Sequence, residues 1–475
     1  MDFADKILLS EAIFTGSGEV PFPGGVAVRG DKIIAVGTRA DVEGLAGPET
    51  EIFELGNRLV LPGLCDSHAH FMLGVRDGSE NFCRDIENGV SEADCVARLR
   101  RFADAHPLKR YFGVGWFPAN WNDAPFPTKR SLDEAFPDTP VYLECADGHS
   151  MWVNSAALAE CGYTNDTVPA TGAIGHFPDG ELDGMLYGGG MELTIPYAKE
   201  LPEEELSGLA ESFLKRLNAN GITAYADMDG QTPDIMALEY PFIKSLEDDG
   251  KLTIRLYLHP GSNYPPKALD VAYFDEFDKY RPKFDSDRLR IVGVKTYGDC
   301  VTSVYTSALL EPYEDKPETR GELMYGSADP YERWILEANK RGYNVRMHCT
   351  GDRAVRMALD CYEKSGKLYD TAALRNAVEH VELINEADIP RFGQLHVVAA
   401  MQPAHLPLDL GEKLVRAGRE RSRYEWAFGS ILRAGGVISI GSDYYVTDVS
   451  PFPALYSAVT RKGTDGVQYG TCSEN

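Results

Sequence analysis

Asp66, His68 and His70 occupy every second position of "LPGLCDSHAHFMLG", residues 61–74. An apolar run with this spacing places both imidazoles on one side of a strand. Further along stand Lys295 in "VGVKTYGD", His348 in "HCTGDRAV", Glu379 and His380 in "VEHVEL", and Asp443 in "GSDYYV". Imidazole and carboxylate together suit zinc and the neighbouring first-row divalent ions. Taken singly, each residue has an ordinary reading. A lone His348 or His380 is a hydrogen-bonded core histidine, Lys295 a snorkelling or salt-bridged lysine, and "GSDYY" a turn with a helix cap. With ten histidines in 475 residues, a chance His-x-His arises roughly 0.2 times. The chemistry depends on whether the fold brings these residues together.

The elements that carry them support that. Residues 6–60 hold short apolar runs punctuated by glycine, which predicts a small all-β unit, the N-terminal part of a β-sandwich, over residues 1–60. Eight β-branched runs follow, beginning at "LVLPGLCDSHAH" and ending at "GVISIGSDYY". Helical patterns such as "DPYERWILEANKRG" and "DRAVRMALDCYEKSG" separate most of them. Strand–helix alternation implies parallel strands with crossover helices, and eight strands imply an α/β fold of the (β/α)8 TIM-like barrel type over residues 61–475. Between the first two runs lie about 150 residues, too many for one crossover, so an inserted subdomain is expected at about 75–215. In such a barrel the C-terminal strand ends converge on one mouth. Four histidines, one lysine and one aspartate at that mouth form a metal-ligand set.

Composition narrows the partners. The formal net charge of −26 weighs against nucleic acid and anionic membrane. The nine cysteines form no Cys-x-x-Cys pair, which points to a reducing compartment and a cytoplasmic location. The N-terminus has no signal-peptide pattern, and no apolar run reaches bilayer-spanning length. The expected partner is a small-molecule substrate.

The pieces "PGLCDSHAH", "ECADGHSMWVNSAAL", "VGVKTYGD", "HCTGDRAV", "VEHVEL" and "GSDYYV" together resemble the amidohydrolase superfamily, in the amidohydrolase family 3 or YtcJ-like branch. The resemblance implies that His68, His70 and Asp443 hold one divalent ion and that His348 and His380 hold a second. Zinc is the expected ion, with manganese, iron and cobalt as alternatives. It further implies that Lys295 is N6-carboxylated and bridges the two, since an ammonium has no lone pair to give. The implied reaction is metal-assisted hydrolysis of a non-peptide C–N bond in an amide, an N-acyl or N-formyl amine, or a cyclic amide. Asp443 takes the proton of the attacking water and passes it to the leaving nitrogen, and His380 or a residue of the substrate loop faces the oxyanion. Asp147, His149 and Asn154 are expected to shape the substrate pocket, with capping of the next helix as the structural alternative for Asn154. Asp352 is expected to cap the helix after strand five and Arg353 to tie the mouth together beside the substrate. Trp116, Phe117, Trp121 and Trp152 are either an aromatic pocket wall or core.

Two departures from the family pattern stand out. The chain ends at "TCSEN" without the strands that complete the N-terminal unit. That predicts an uncovered, association-prone face, with a homodimer as one way of covering it. The deaminase branch carries Glu three residues after the strand-five histidine, where this chain has Gly351. This favours amide hydrolysis over hydrolytic deamination of a nucleobase; a metal-dependent deaminase or a lyase on the same site is the rival enzyme reading. A non-catalytic regulatory or binding protein on this scaffold is the alternative of another class.

Overall fold

In the computed structural model the chain divides into two units, Met1–Leu64 and Cys65–Asn475. The structure describes residues 3–469 apart from 18–19, 119–120, 122–125, 147, 170–171, 199–200, 202, 263–268 and 410.

The first unit contains β1 (Ala4–Ile13), β2 (Phe22–Arg29), β3 (Lys32–Gly37), β4 (Ala46–Glu54) and β5 (Leu59–Val60). They form one sheet in the order β3-β2-β1-β4, with β5 also on β1. Ile7, Leu9 and Ala27 pack with Val42 of a short helix, Arg39–Glu43. A reciprocal capping box between Thr38 and Asp41 starts that helix. Ile33, Val36, Ile52 and Phe53 are exposed on β3 and β4.

The second unit starts with β6 (Leu64–Ala69), whose alternation buries Asp66 and His68. Then comes a six-stranded sheet of β7 (Phe82–Cys83), β8 (Tyr111–Trp116), β9 (Val141–Cys145), β10 (Ser150–Val153), β11 (Ala173–His176) and β12 (Leu182–Tyr187). Its strands are apolar at successive positions because both faces are covered. Tyr111, Val141 and Leu143 enter one core, while the intervening Phe112 and Tyr142 enter another. Trp116, Trp121 and Trp152 belong to the first core, and their indole nitrogens donate to the carbonyls of Leu143, Gly89 and Thr128. These three tryptophans are therefore core, not a pocket wall.

Eight strand segments follow: β13 (Ile222–Asp227), β14 (Arg255–Leu258), β15 (Leu289–Ile291), β16 (Gly293–Tyr297), β17 (Asn344–Cys349), β18 (Ala377–His380), β19 (Val398–Met401) and β20 (Val437–Ile440). They make two sheets, β15-β14-β13-β6 and β16-β17-β18-β19-β20. The fold is mixed α/β. The pairs β13–β14 and β14–β15 and every pair from β16 to β20 are parallel. Parallel neighbours need crossovers, and amphipathic helices supply them. Helix Asp329–Lys340 buries Tyr331, Trp334, Ile335 and Ala338 at helical spacing, and Asp352–Gly366 does the same with Val355, Ala358, Leu359 and Tyr362. Backbone links join the edges of the two sheets. Gly261 bridges Lys295 in parallel fashion, and the Asp443 amide donates to the His68 carbonyl at 2.7 Å. Among the described residues, no helix is long and apolar enough to cross a membrane.

Candidate metal centre

Register places the chemistry. In the parallel ladder Lys295 lies beside Arg346, Tyr297 beside His348, and His348 beside Glu379. With a period of two, Arg346, His348 and Glu379 share one face. His380 should then face the other way. Instead its φ of 71° ends the strand in the left-handed region, and its ring comes within 4.8 Å, centroid to centroid, of His68. Asp443 is likewise left-handed, with φ 53°. Such backbone is uncommon outside glycine and concentrates at functional sites. Asp66 is no ligand. Its Oδ1 accepts from the Ser442 amide at 3.0 Å and its Oδ2 from the Ser442 hydroxyl at 2.5 Å, clasping the turn that carries Asp443.

Three of the imidazoles, those of His68, His70 and His348, are oriented by a group behind them. His68 Nδ1 lies 2.5 Å from Glu379 Oε2, and Arg346 holds the other Glu379 oxygen. His70 Nδ1 lies 2.8 Å from Asp229 Oδ1. A carboxylate only accepts, so both Nδ1 atoms carry protons and both Nε2 atoms turn to the centre. There His68 Nε2 sits 3.4 Å and His70 Nε2 3.0 Å from Asp443 Oδ1. His348 Nε2 lies 3.0 Å from the Cys300 carbonyl, which leaves its Nδ1 as the lone-pair nitrogen, and its ring is 4.3 Å from that of His380. Lys295 Nζ is 3.3 Å from His68 Nε2, in a fully buried position.

The electrostatics follow from this packing. Burial holds His68, His348 and His380 well below the usual imidazole range, with neighbouring Lys295 or histidines adding to the effect. Burial also depresses His70, but its bonds to Asp229 and Asp443 outweigh that and lift it to about 9. Burial opposes ionisation of Asp443, yet His68 and His70 keep it well below the usual carboxylate range. Lys295 is pulled down to about 8 by burial, against the attraction of Glu379 and Asp443.

These residues fit a divalent ion. Neutral His68, with its proton on Nδ1, points a lone pair at a carboxylate oxygen 3.4 Å away. That lone pair also lies 3.3 Å from Lys295 Nζ, so an imidazole nitrogen and a carboxylate oxygen converge on one buried point, the donor types that suit a divalent ion. The donor atoms of His68, His380 and Asp443 all lie within 4.8 Å of one another.

The family model described as amidohydrolase family matches residues 51–472. The chain belongs to the amidohydrolase family. Protein LONG AFTER FAR-RED 3 of Arabidopsis thaliana is 30% identical, covering 96% of this chain and 78% of the relative. The putative amidohydrolase YtcJ of Bacillus subtilis is 24% identical, covering 89% and 77%. The N-substituted formamide deformylase of Arthrobacter pascens is 23% identical, covering 93% and 81%. Among solved structures, a metal-dependent hydrolase of Pyrococcus horikoshii superposes with a TM-score of 0.72 at 23% identity, covering 97% of this chain and 87% of that one. The YtcJ-like resemblance read from the motifs is thus borne out.

Within this amidohydrolase the other expected residues scatter. His149 reaches the centre: its Nδ1 is 2.9 Å from Cys300 Sγ and its ring 5.5 Å from His348. Asn154 does not. It caps helix Ser155–Cys161 through the Ala157 amide, accepts from Val141 N, and donates to the carbonyls of Phe136 and Thr139. That uses its whole amide in the insertion, the structural alternative. Arg353 donates to the Gly321 carbonyl at 2.8 Å. Asp352 is not the helix cap, because Gly351 holds that position and Asp352 accepts from Leu310 N. Asp299 instead accepts the amides of Thr350, Gly351 and Ala308. Asp147 lies outside the described residues. Sequence reading passed over Asp229, Arg346 and His405, although "ADMDG" and "QPAH" put polar residues at the ends of predicted strands.

Proposed function

We propose that the chain hydrolyses a non-peptide C–N bond, in an amide, an N-acyl or N-formyl amine, or a cyclic amide, at a centre of His68, His70, Lys295, His348, His380 and Asp443. The observation carrying this reading is the buried Asp443 carboxylate facing His68 Nε2 and His70 Nε2, each imidazole backed by its own carboxylate. The names of two relatives, a putative amidohydrolase and an N-substituted formamide deformylase, support the bond class. We infer that the two sheets close into one eight-stranded barrel, with β15 and β16 as two parts of one strand, through the Gly261–Lys295 and His68–Asp443 links.

When bound, divalent ions, with zinc the best match to this nitrogen-rich set, supply charge that acidifies a water and polarises a carbonyl. The chain's own residues do the rest. Asp443 takes the water's proton and passes it to the leaving nitrogen. Glu379 and Asp229 fix the tautomers of His68 and His70. His380 borders the space where negative charge develops on the carbonyl oxygen. Lys295 carboxylated by carbon dioxide turns a buried ammonium into an anionic oxygen donor. Gly351 stands against deamination. A Cβ there meets the Ala308 carbonyl oxygen at 2.2 Å, so no Glu fits. The eight described cysteines are free thiols, in keeping with a cytoplasmic setting.

A panel of N-formyl and N-acyl amines and cyclic amides, scored for amine release or ring opening, beside nucleobases scored for ammonia, tests the reading. Turnover of an amide that is lost on chelation and restored by zinc is expected. Ammonia from a nucleobase with no amide turnover would sink it.

A further inference from the structure

A second group of donors lies beside the centre. One donor atom each from His380, Glu382 and His405 falls within 4.8 Å of the others. His405 and Glu382 stand outside the ligand set implied by the family pattern. His405 follows β19, in the segment Pro403–Asp409, and Glu382 follows β18. Left-handed φ values at both His380 and Val381, 71° and 52°, turn the chain so that Glu382 returns toward the His380 side.

The His405 side chain is 11% exposed, and its Nε2 is buried without a hydrogen-bond partner among the described residues. Leaving such an atom unsatisfied costs about 1–3 kcal/mol. The nearest carboxylate oxygen, Asp443 Oδ2, is 3.9 Å away, beyond hydrogen-bond distance. Lys413 engages Glu382 Oε2 at 2.9 Å. Trp426 closes the far side of His405, with ring centroids 6.0 Å apart.

We propose that His380, Glu382 and His405 form a cation position on the β18–β19 side of the centre, with Asp443 Oδ2 at its edge. Two imidazole nitrogens and a carboxylate oxygen suit zinc, whose bonds near 2.0–2.2 Å set tetrahedral donors roughly 3.4 Å apart. The donors therefore need to draw in by no more than roughly 1.4 Å, within reach of side-chain torsions. Sharing His380 and Asp443 couples this position to the main centre, so occupancy here changes how those two residues face the substrate. The proposal rests on the metal-centre reading above.

Metal-free full-length protein titrated with zinc, and separately with cobalt followed by visible absorption, tests it. The variants are His405→Ala and Glu382→Gln, each checked for folding by its thermal transition. If one fails to fold, the other decides. The weakest zinc equivalent of the wild type is expected to weaken at least about tenfold in each variant, with loss of cobalt band intensity and the tighter binding unchanged. Unchanged stoichiometry, affinity and cobalt spectrum in the variants overturn the position while leaving the main centre standing. A wild-type chain that takes up neither ion overturns the metal centre and this position with it.

Discussion

Glu379 Oε2 lies 2.5 Å from Nδ1 of His68, and both side chains are buried. This contact sets the tautomer of an imidazole at the heart of the centre. It also explains why Glu379 and His380, adjacent in sequence, both serve one site.

Glu379→Gln keeps the shape of this contact and removes its charge. Zinc affinity should fall about 10- to 100-fold, as it does when carboxylates behind metal-binding histidines are lost. Competition with a chromophoric chelator measures it, and an unchanged affinity counts against Glu379 as a tuning group.

Asp443→Asn should retain bound metal, since the histidines remain, and lose about 10²- to 10⁴-fold in kcat. Metal content and turnover are measured on the same preparation. Full activity removes Asp443 from the proton-transfer role.

Gly441 lets the turn carrying Asp443 approach β6. A Cβ there falls 2.6 Å from both the nitrogen and the Cβ of His68, so Gly441→Ala forces backbone apart. A loss of about 1–3 kcal/mol in urea unfolding is expected, together with weaker zinc binding. Wild-type stability in this variant would mean that the approach is looser than the structure has it.

In the metal-free protein the stability that His70 contributes should decline with rising pH. His70 titrates near 9 in the fold against an ordinary 6.5. Its protonated form is the one favoured by folding. The resulting stabilisation is fully present below pH 6.5 and is lost as pH rises through 9. Its size is on the order of 3 kcal/mol. Urea midpoints of chelated wild type and His70→Asn, taken between pH 6 and 10, check this, because groups common to both, Lys295 among them, cancel in the difference. A difference between the two profiles that does not change from pH 6 to 10 would contradict it.

Much of the site was legible because strands have a period of two and each ligand sits at or near a strand end. That spacing sets the faces of His68, Lys295 and His348, but it would turn His380 away from the centre, and it cannot say what stands behind each residue. Asp229 and Arg346 look like ordinary polar residues until neighbouring strands are set in register. Asp66 shares its spacing with two histidines yet serves the Ser442 turn, because hydrogen-bond partners depend on a segment far along the chain. Asn154 and the tryptophans were ambiguous for the same reason, since a cap or core residue and a pocket residue have one composition.

The amino-acid sequence by itself determined the strand–helix alternation, the donor types and the family, all properties of local spacing and residue chemistry. Tertiary structure alone decided that His380 and Asp443 adopt left-handed backbone and turn into the centre. It also decided that Glu379 lies behind His68 and that His405 stands beside His380. These are long-range facts: they arise from which strands become neighbours and in what register, and no local pattern encodes the distance between residues hundreds of positions apart.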